Sequence, residues 1–348
     1  MRAADPSGEP IGLRSDAVTD WLQGLGIATA PPLRFQRFGH GKSNLTFLVS
    51  DSAAHRCVLR RPPLGELLPS AHDVARERRV LLALEATAVP CPRVLAFTEA
   101  NDISDAPLLV MEHVDGIVVQ DPNAAASLTR ELRQAVGMGA VAALAEIHAV
   151  DLEYSGLSSL ASHAPYAARQ LKRWQGQWER SRTRDIPELE RIAERLWAAI
   201  PEQHEVTLVH GDFHLRNLIV SPEDGTVRAV LDWELCTLGD PLADLGGLLA
   251  YWPHAGEAAT AINAASTLPG FPTRDELAAA YAQRTGRSLE TLGFWHVLAL
   301  WKVAVIAEGV LRRSQDRPEN ASPAGAATAR GVDELVARAA AVAGDVGL

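Results

Sequence analysis

The stretch that most limits what this chain can fold into runs from Val206 to Glu234. An apolar run, Val206 to Val209, leads straight into His210-Gly211-Asp212-Phe213-His214-Leu215-Arg216-Asn217. Two β-prone segments follow, Leu218–Val220 and Val227–Leu231, joined through Asp224-Gly225, a pair that favours a tight hairpin. The second segment delivers Asp232, fifteen residues beyond Asn217, with Trp233 and Glu234 after it. A lone Asp before a loop usually caps a turn. Three oxygen-bearing side chains, Asp212, Asn217 and Asp232, framed by strands, form a set instead.

The spacing suggests what the set does. Asp and Asn stand five apart in a kinase catalytic loop, where the Asp accepts the substrate hydroxyl proton and the Asn holds magnesium. A carboxylate at the end of a later strand suits a hard cation that takes few protein ligands and bridges phosphates. Asp212 is therefore the candidate catalytic base. Asn217 and Asp232 are candidate magnesium ligands, with Glu234 as a candidate for a second ion or a water.

Gly239-Asp240-Pro241 and Asp244-Leu245 lie just beyond. With the two blocks above, this wording resembles the aminoglycoside phosphotransferase and choline kinase superfamily. Within it, the sequence is most similar to the kinase-like domain linked to acyl-CoA dehydrogenases and its bacterial single-domain relatives. The resemblance covers about Phe35 to Arg313. It implies an α+β, protein-kinase-like two-lobe fold: an antiparallel sheet plus helix, then a larger, mostly helical lobe. It also implies ATP and Mg2+ as cofactors and a small-molecule hydroxyl as phosphate acceptor. Asp240 and Asp244 are expected to brace the catalytic loop, and His210 to be a core histidine. His214 stands where protein kinases carry a lysine on the γ-phosphate; it is expected either to touch phosphate or to cap the loop.

The N-terminal third fits the same scheme. Gly39, Gly41, Ser43 and Asn44 precede a β-prone run, and their small size lets backbone N–H groups approach phosphates. Lys42 lacks the spacing and following helix of a Walker lysine. Thr46–Ser50 and Arg56–Arg60 read as a hairpin. Arg60 would take the place of the kinase lysine on the nucleotide phosphates. Arg60 and Arg61 point to opposite faces of a strand, and alternation groups Arg60 with Val58. A helix is expected from about Ala71, with Ser70 and Asp73 in a capping-box pattern. Val74, Glu77, Leu81 and Leu84 fall on one stripe of it. A charge on an apolar stripe needs a partner, and Arg60 is the natural one for Glu77. Leu108 to Val114 reads as a strand ending in the hinge: Glu112 and Val114 would meet the adenine edge through backbone groups, with Met111 behind the base.

Organisation and composition set the remaining limits. Residues 1–32 are expected as an N-terminal extension, 33–116 as the nucleotide-binding lobe and 117–348 as the catalytic and substrate lobe. Leu132, Val136, Ala140, Leu144 and Ile147 recur at helical spacing. Residues 165–200 read as two helices broken near Pro187, and the Ala-rich tail as another. A net charge of -10 argues against a nucleic-acid partner. Three scattered cysteines point to a reducing compartment, and no signal peptide is evident, so the expected location is cytoplasmic. Leu292 to Leu311 is apolar but carries His296, Lys302 and Glu308, so it reads as a buried helix and not a membrane span.

The acceptor is less legible. Arg169, Lys172, Arg173, Arg182 and Arg184 crowd residues 166–185 beside Trp174 and Trp178. That basic stretch favours a hydroxy acid or hydroxyacyl-CoA over the amines of an aminoglycoside or a choline-like alcohol. A nucleotide-binding pseudokinase with a regulatory role is the alternative of another class; the intact Asp212, Asn217 and Asp232 speak against it. The choice of ATP over GTP, and the oligomeric state, are left open.

Overall fold

The structure, a computed structural model, describes residues 10–38, 44–64, 73–254, 257, 264–316 and 328–348. It divides into two compact units: Met1–Asp115 with Ala229–Glu234, and Gly116–Arg228 with Leu235–Leu348. The chain therefore changes unit near the expected residue 116. It then re-enters the first unit for the six residues that carry Asp232, which no local pattern announces.

In the first unit, α1 (Ser15–Gly24) precedes β1 (Arg34–Phe38), β2 (Leu45–Ser50) and β3 (Arg56–Arg61). Next come α2 (Val74–Leu84), β4 (Val94–Thr98) and β5 (Leu108–Glu112). The five strands form one antiparallel sheet in the order β1-β2-β3-β5-β4. Alternation on β2 buries Leu45, Phe47 and Val49 on one face. Those residues pack with Leu59, Leu108 and Val110, and also with Leu13, Val18, Leu22 and Ala28. Within the expected extension of residues 1–32, the described part is thus not separate: Leu13 to Ala28 close the apolar face of the sheet. Asp51 pins this arrangement. Its carboxylate accepts from the backbone N–H groups of Thr29, Ala30, Ala53 and His55, tying the β2–β3 turn to the segment after α1.

The expected β2–β3 hairpin is present, with Arg60 and Arg61 on opposite faces. Arg61 turns to the Gly12 carbonyl and to Asp105, 3.0 Å away. The cap of α2 differs from expectation. Asp73 itself is the N-cap, accepting from the Arg76 N–H at 3.0 Å. Ser70 and Ala71 lie outside the described residues, as do Gly39, Gly41, Lys42 and Ser43.

The second unit is mostly helical. It contains α3 (Pro122–Ala126), α4 (Arg130–His148), α5 (Tyr166–Ser181) and α6 (Pro187–Ala198). Pro187 does not merely break a helix; it starts α6, where its missing N–H costs nothing. Short strands β6 (Thr207–Val209) and β9 (Thr237–Gly239) pair antiparallel, and β7 (Leu218–Val220) pairs with β8 (Val227–Val230). After β9 come α7 (Leu242–Ala250), α8 (Arg274–Thr285), α9 (Leu292–Asp316) and α10 (Ala329–Asp345). By length and composition α9 could cross a membrane, but 83% of its most apolar window is buried. It packs against α5, α6, α7 and α10.

Candidate functional site

The β6–β9 pair sets the position of the candidate catalytic block. Immediately after β6 the chain turns sharply at Gly211, whose φ is +83°. A Cβ there would lie 2.7 Å from the Leu235 carbonyl oxygen, so the turn requires glycine on both counts. Asp244, buried in the first turn of α7, fixes the turn from below. Its carboxylate accepts from the His210 N–H at 2.6 Å and the Gly211 N–H at 2.8 Å. His148 stands 3.4 Å away on the other side. Asp240 does something else: its carboxylate accepts from the Leu242 N–H at 2.9 Å where α7 begins, and among the described residues it makes no hydrogen bond to the loop. His210 is fully buried, with its ring edge-on to Phe213.

Asp212 follows with its side chain 29% exposed. Asn217 donates its amide to the Asp212 carbonyl at 2.9 Å and approaches the Asp212 carboxylate at 3.4 Å. That leaves the Asn217 carbonyl oxygen for a cation. His214 Nε2 lies 3.4 Å from the Asp212 carboxylate, and its ring stands edge-on to Tyr251. Burial alone would raise the Asp212 pKa; His214, Lys302 and His210 overcome it and hold the group well below the usual carboxylate range. At neutral pH Asp212 is an ionised acceptor.

Lys302, on α9, is the residue that sequence reasoning missed. It donates to the Gly211 carbonyl at 2.7 Å, and its ammonium lies 5.2 Å from the centre of the Trp174 ring. Burial lowers its pKa, against the pull of Asp212 and Asp244. The signal was visible as a lysine inside an apolar helical run, but only as a charge unsuited to a bilayer. Asp212 and Lys302 share a narrow cavity of about 40 Å³ with Tyr166, Gln170, Trp174, Tyr251 and Trp295 among its walls. The basic stretch of α5 takes little part. Arg169 donates to the Leu238 and Ala164 carbonyls, while Lys172 and Arg173 are exposed.

In the first unit the strand residue and the helix residue meet as expected. Arg60 lies 2.5 Å from Glu77 and 2.9 Å from Asp232, so one guanidinium joins two carboxylates. Glu77 is 2% exposed. Burial pushes its carboxyl up, Arg60 pulls it down, and Asp232 and Glu234 add to the upward push. Burial also disfavours the charge on Arg60, yet Glu77, Asp232 and Glu234 hold its pKa above the ordinary value. Asp232 adopts φ +66°, a left-handed conformation unusual outside glycine. Its placement at Arg60 depends on that turn.

The residues expected as the hinge part company with expectation at one atom. The Glu112 N–H donates to the Arg93 carbonyl at 3.0 Å, and its side chain pairs with Arg93 Nε at 2.6 Å. Glu112 can therefore offer a ligand its carbonyl but not its N–H; Val114 makes no such bond among the described residues. Met111 is buried in β5, 6% exposed. No group of three or more His, Cys, Asp or Glu side chains among the described residues could hold a metal.

A profile of the phosphotransferase enzyme family matches residues 34–295. The chain belongs to that family. Acyl-CoA dehydrogenase family member 10 of Mus musculus is 37% identical over 314 residues, 89% of this chain and 29% of that protein. Family member 11 of Homo sapiens is 33% identical over 299 residues, 84% of this chain and 38% of that protein. The chain thus spans well under half the length of either relative. Among solved structures, one from Ralstonia eutropha, provisionally described as an aminoglycoside phosphotransferase, has 29% identity and a TM-score of 0.73. The match covers 96% of this chain and 97% of that one. The GDP complex of wild-type aminoglycoside 2'-phosphotransferase-IIIa shares the fold at 12% identity, with a TM-score of 0.60 over 96% of this chain and 98% of that one. The fold of the family is kinase-like, with the antiparallel sheet in the N-terminal part and most helices in the C-terminal part.

Proposed function

We propose that this phosphotransferase moves the γ-phosphate of ATP to the hydroxyl of a small anionic molecule, with Asp212 as catalytic base. The observation that carries the reading is Asp212 itself, kept ionised at the end of β6 and facing a cavity. An acceptor hydroxyl bound there would give its proton to the Asp212 carboxylate as its oxygen takes the phosphoryl group. Arg60 would hold nucleotide phosphates, kept in place by Glu77. The hinge carbonyl of Glu112 and the N–H of Val114 would meet the base. Gly39, Gly41, Ser43 and Asn44 would supply the loop over the phosphates, and His214 a further phosphate contact. The GDP-bound relative supports a nucleotide site.

Asn217, Asp232 and Glu234 fit magnesium by donor chemistry: hard oxygens, and few of them. Magnesium would supply charge neutralisation on the phosphates when bound. We also place the protein in the cytoplasm, in keeping with its free cysteines.

Lys302 narrows the acceptor. A buried cation beside the base favours a substrate whose anionic group sits close to its hydroxyl, as in a hydroxy acid or hydroxyacyl-CoA. Apart from Asp212 and the engaged Asp244, the cavity wall offers no carboxylate to the amines of an aminoglycoside. Its aromatic rings could face a quaternary ammonium, but Lys302 already lies over Trp174. The names of the acyl-CoA dehydrogenase relatives are consistent with an acyl-CoA acceptor.

The test is phosphate transfer from Mg-ATP, read by mass spectrometry on hydroxyacyl-CoAs, hydroxy acids, aminoglycosides and choline-like alcohols. A phosphorylated hydroxy acid or hydroxyacyl-CoA is expected. A product only from an amine substrate would overturn the acceptor class. Nucleotide binding without any product would favour a regulatory pseudokinase. Lys302→Met carries a pH prediction. Asp212 works ionised, and activity falls as pH drops through its depressed pKa. Without the Lys302 charge that pKa rises, so the acid limb of the kcat/KM profile moves to higher pH. An unmoved limb would show that Lys302 does not act on the base.

A further inference from the structure

A second cavity in the helical unit, of about 630 Å³, shares no lining residue with the one at Asp212. Leu249, Ala278, Leu289, Leu292, Leu335 and Val342 give it apolar walls. Its volume lies within the range of small-ligand sites. One part of the lining is polar: Arg274 and His296 are buried, and Arg338 and Glu257 are partly buried.

These four groups do not balance. Arg274 is fully engaged. Both its terminal nitrogens reach the Glu257 carboxylate, at 2.9 and 2.5 Å, and its Nε donates to the Trp252 carbonyl. Arg338 is not. Its Nε lies 3.0 Å from the same Glu257 carboxylate but is buried without a hydrogen bond, and its Nη2 makes a long contact of 3.4 Å to the Leu249 carbonyl. Two guanidinium groups thus share one carboxylate, leaving an excess of positive charge; burial and Arg274 together push the Arg338 pKa down to about 10. His296 is 8% exposed, lines the cavity, and has a buried Nε2 with no partner. Buried polar groups are seldom left unmade in folded proteins, because each costs free energy. A structural ion-pair network accounts for Arg274, Glu257 and the 3.0 Å approach of Arg338, but not for the unpartnered Nε2 of His296 or for the Arg338 Nε that makes no hydrogen bond.

We propose that this cavity is a binding site for a small amphipathic monocarboxylate. Its head group accepts from Arg338 and His296, and its apolar chain lies along the walls. Asp275, Glu334 and Asp345 also line the cavity and repel a polyanion, which favours a ligand with a single charge. Glu334 is partly neutralised by Arg330 at 2.9 Å, while Asp275 and Asp345 are exposed.

The test uses the full chain and three probes: octanoate, the neutral octanamide and octyl phosphate, each titrated by calorimetry with and without saturating Mg-ATP. One molecule of octanoate is expected to bind, at least about tenfold more tightly than octanamide, since a hydrogen bond to a charged group is worth that much. Arg338→Met should weaken octanoate by about tenfold or more. The wild-type protein gives a readout that needs no variant: nitrogen NMR of the His296 ring should shift on octanoate binding, and the ring should protonate at higher pH. Equal binding of octanamide, tighter binding of octyl phosphate, displacement by nucleotide, or an unmoved His296 signal would each overturn the proposal.

Discussion

Asp212→Asn is expected to lower phosphate transfer about 10²–10⁴-fold, the usual effect of losing a general base, while nucleotide affinity stays within about twofold. The change is nearly isosteric. The loop should keep its shape, because the Asn217 amide bonds the Asp212 main-chain carbonyl and Asp244 holds the two preceding N–H groups. What disappears is the anion proposed to accept the proton. Single-turnover transfer to whichever acceptor the panel identifies, beside a nucleotide-binding titration, separates the two effects. A variant retaining more than about a tenth of the rate would remove Asp212 from the role of base.

The second large effect is expected in stability. Arg60→Met leaves Glu77 at 2% exposure without its cation and with Asp232 and Glu234 still nearby. Breaking a buried pair by deleting one partner typically costs about 3–5 kcal/mol. The pH dependence follows from the sign. Without Arg60, burial and the neighbouring carboxylates raise the folded pKa of Glu77 above its unfolded value. The folded state then binds the proton more tightly, so the variant is most stable in acid and loses stability as pH rises through that folded pKa. Urea unfolding at pH 5 and pH 8 should therefore show a deficit that is larger at pH 8. Adding Glu77→Leu should recover most of it by removing the stranded charge. A deficit independent of pH, or unrelieved by the second change, would mean that the pair contributes little. Nucleotide affinity should also fall in both variants, since neither retains Arg60.

Much of this was legible in the chain alone. The alternation Val58-Leu59-Arg60-Arg61 determined which arginine faces α2, because side chains of a strand alternate. The 3- and 4-residue spacing from Val74 to Leu84 put Glu77 on the buried stripe of that helix. Apolar periodicity found α4, and the run of residues 206–217 found the strand and turn that carry Asp212. These are local rules, set by backbone geometry within a few residues, and sequence expresses them directly.

Tertiary structure decided what depends on residues far apart in the chain. Asp232 reaches Arg60 across 172 positions, through a left-handed backbone conformation that Asp tolerates better than most non-glycine residues but that names no partner. Lys302 reaches the Gly211 carbonyl across 91 positions; in sequence it was only a misplaced charge in an apolar helix. The arginines of α5 looked like a substrate surface, yet Arg169 is engaged by main-chain carbonyls. The first 32 residues looked detached, yet Val18 and Leu22 lie in the core of the sheet. A side chain's composition says which partners it can take, but burial and charge balance depend on what the fold brings to it. That is why the sequence by itself determined many of the elements and the candidate reacting residues, while only the packed structure determined which charges are paired and which are left open.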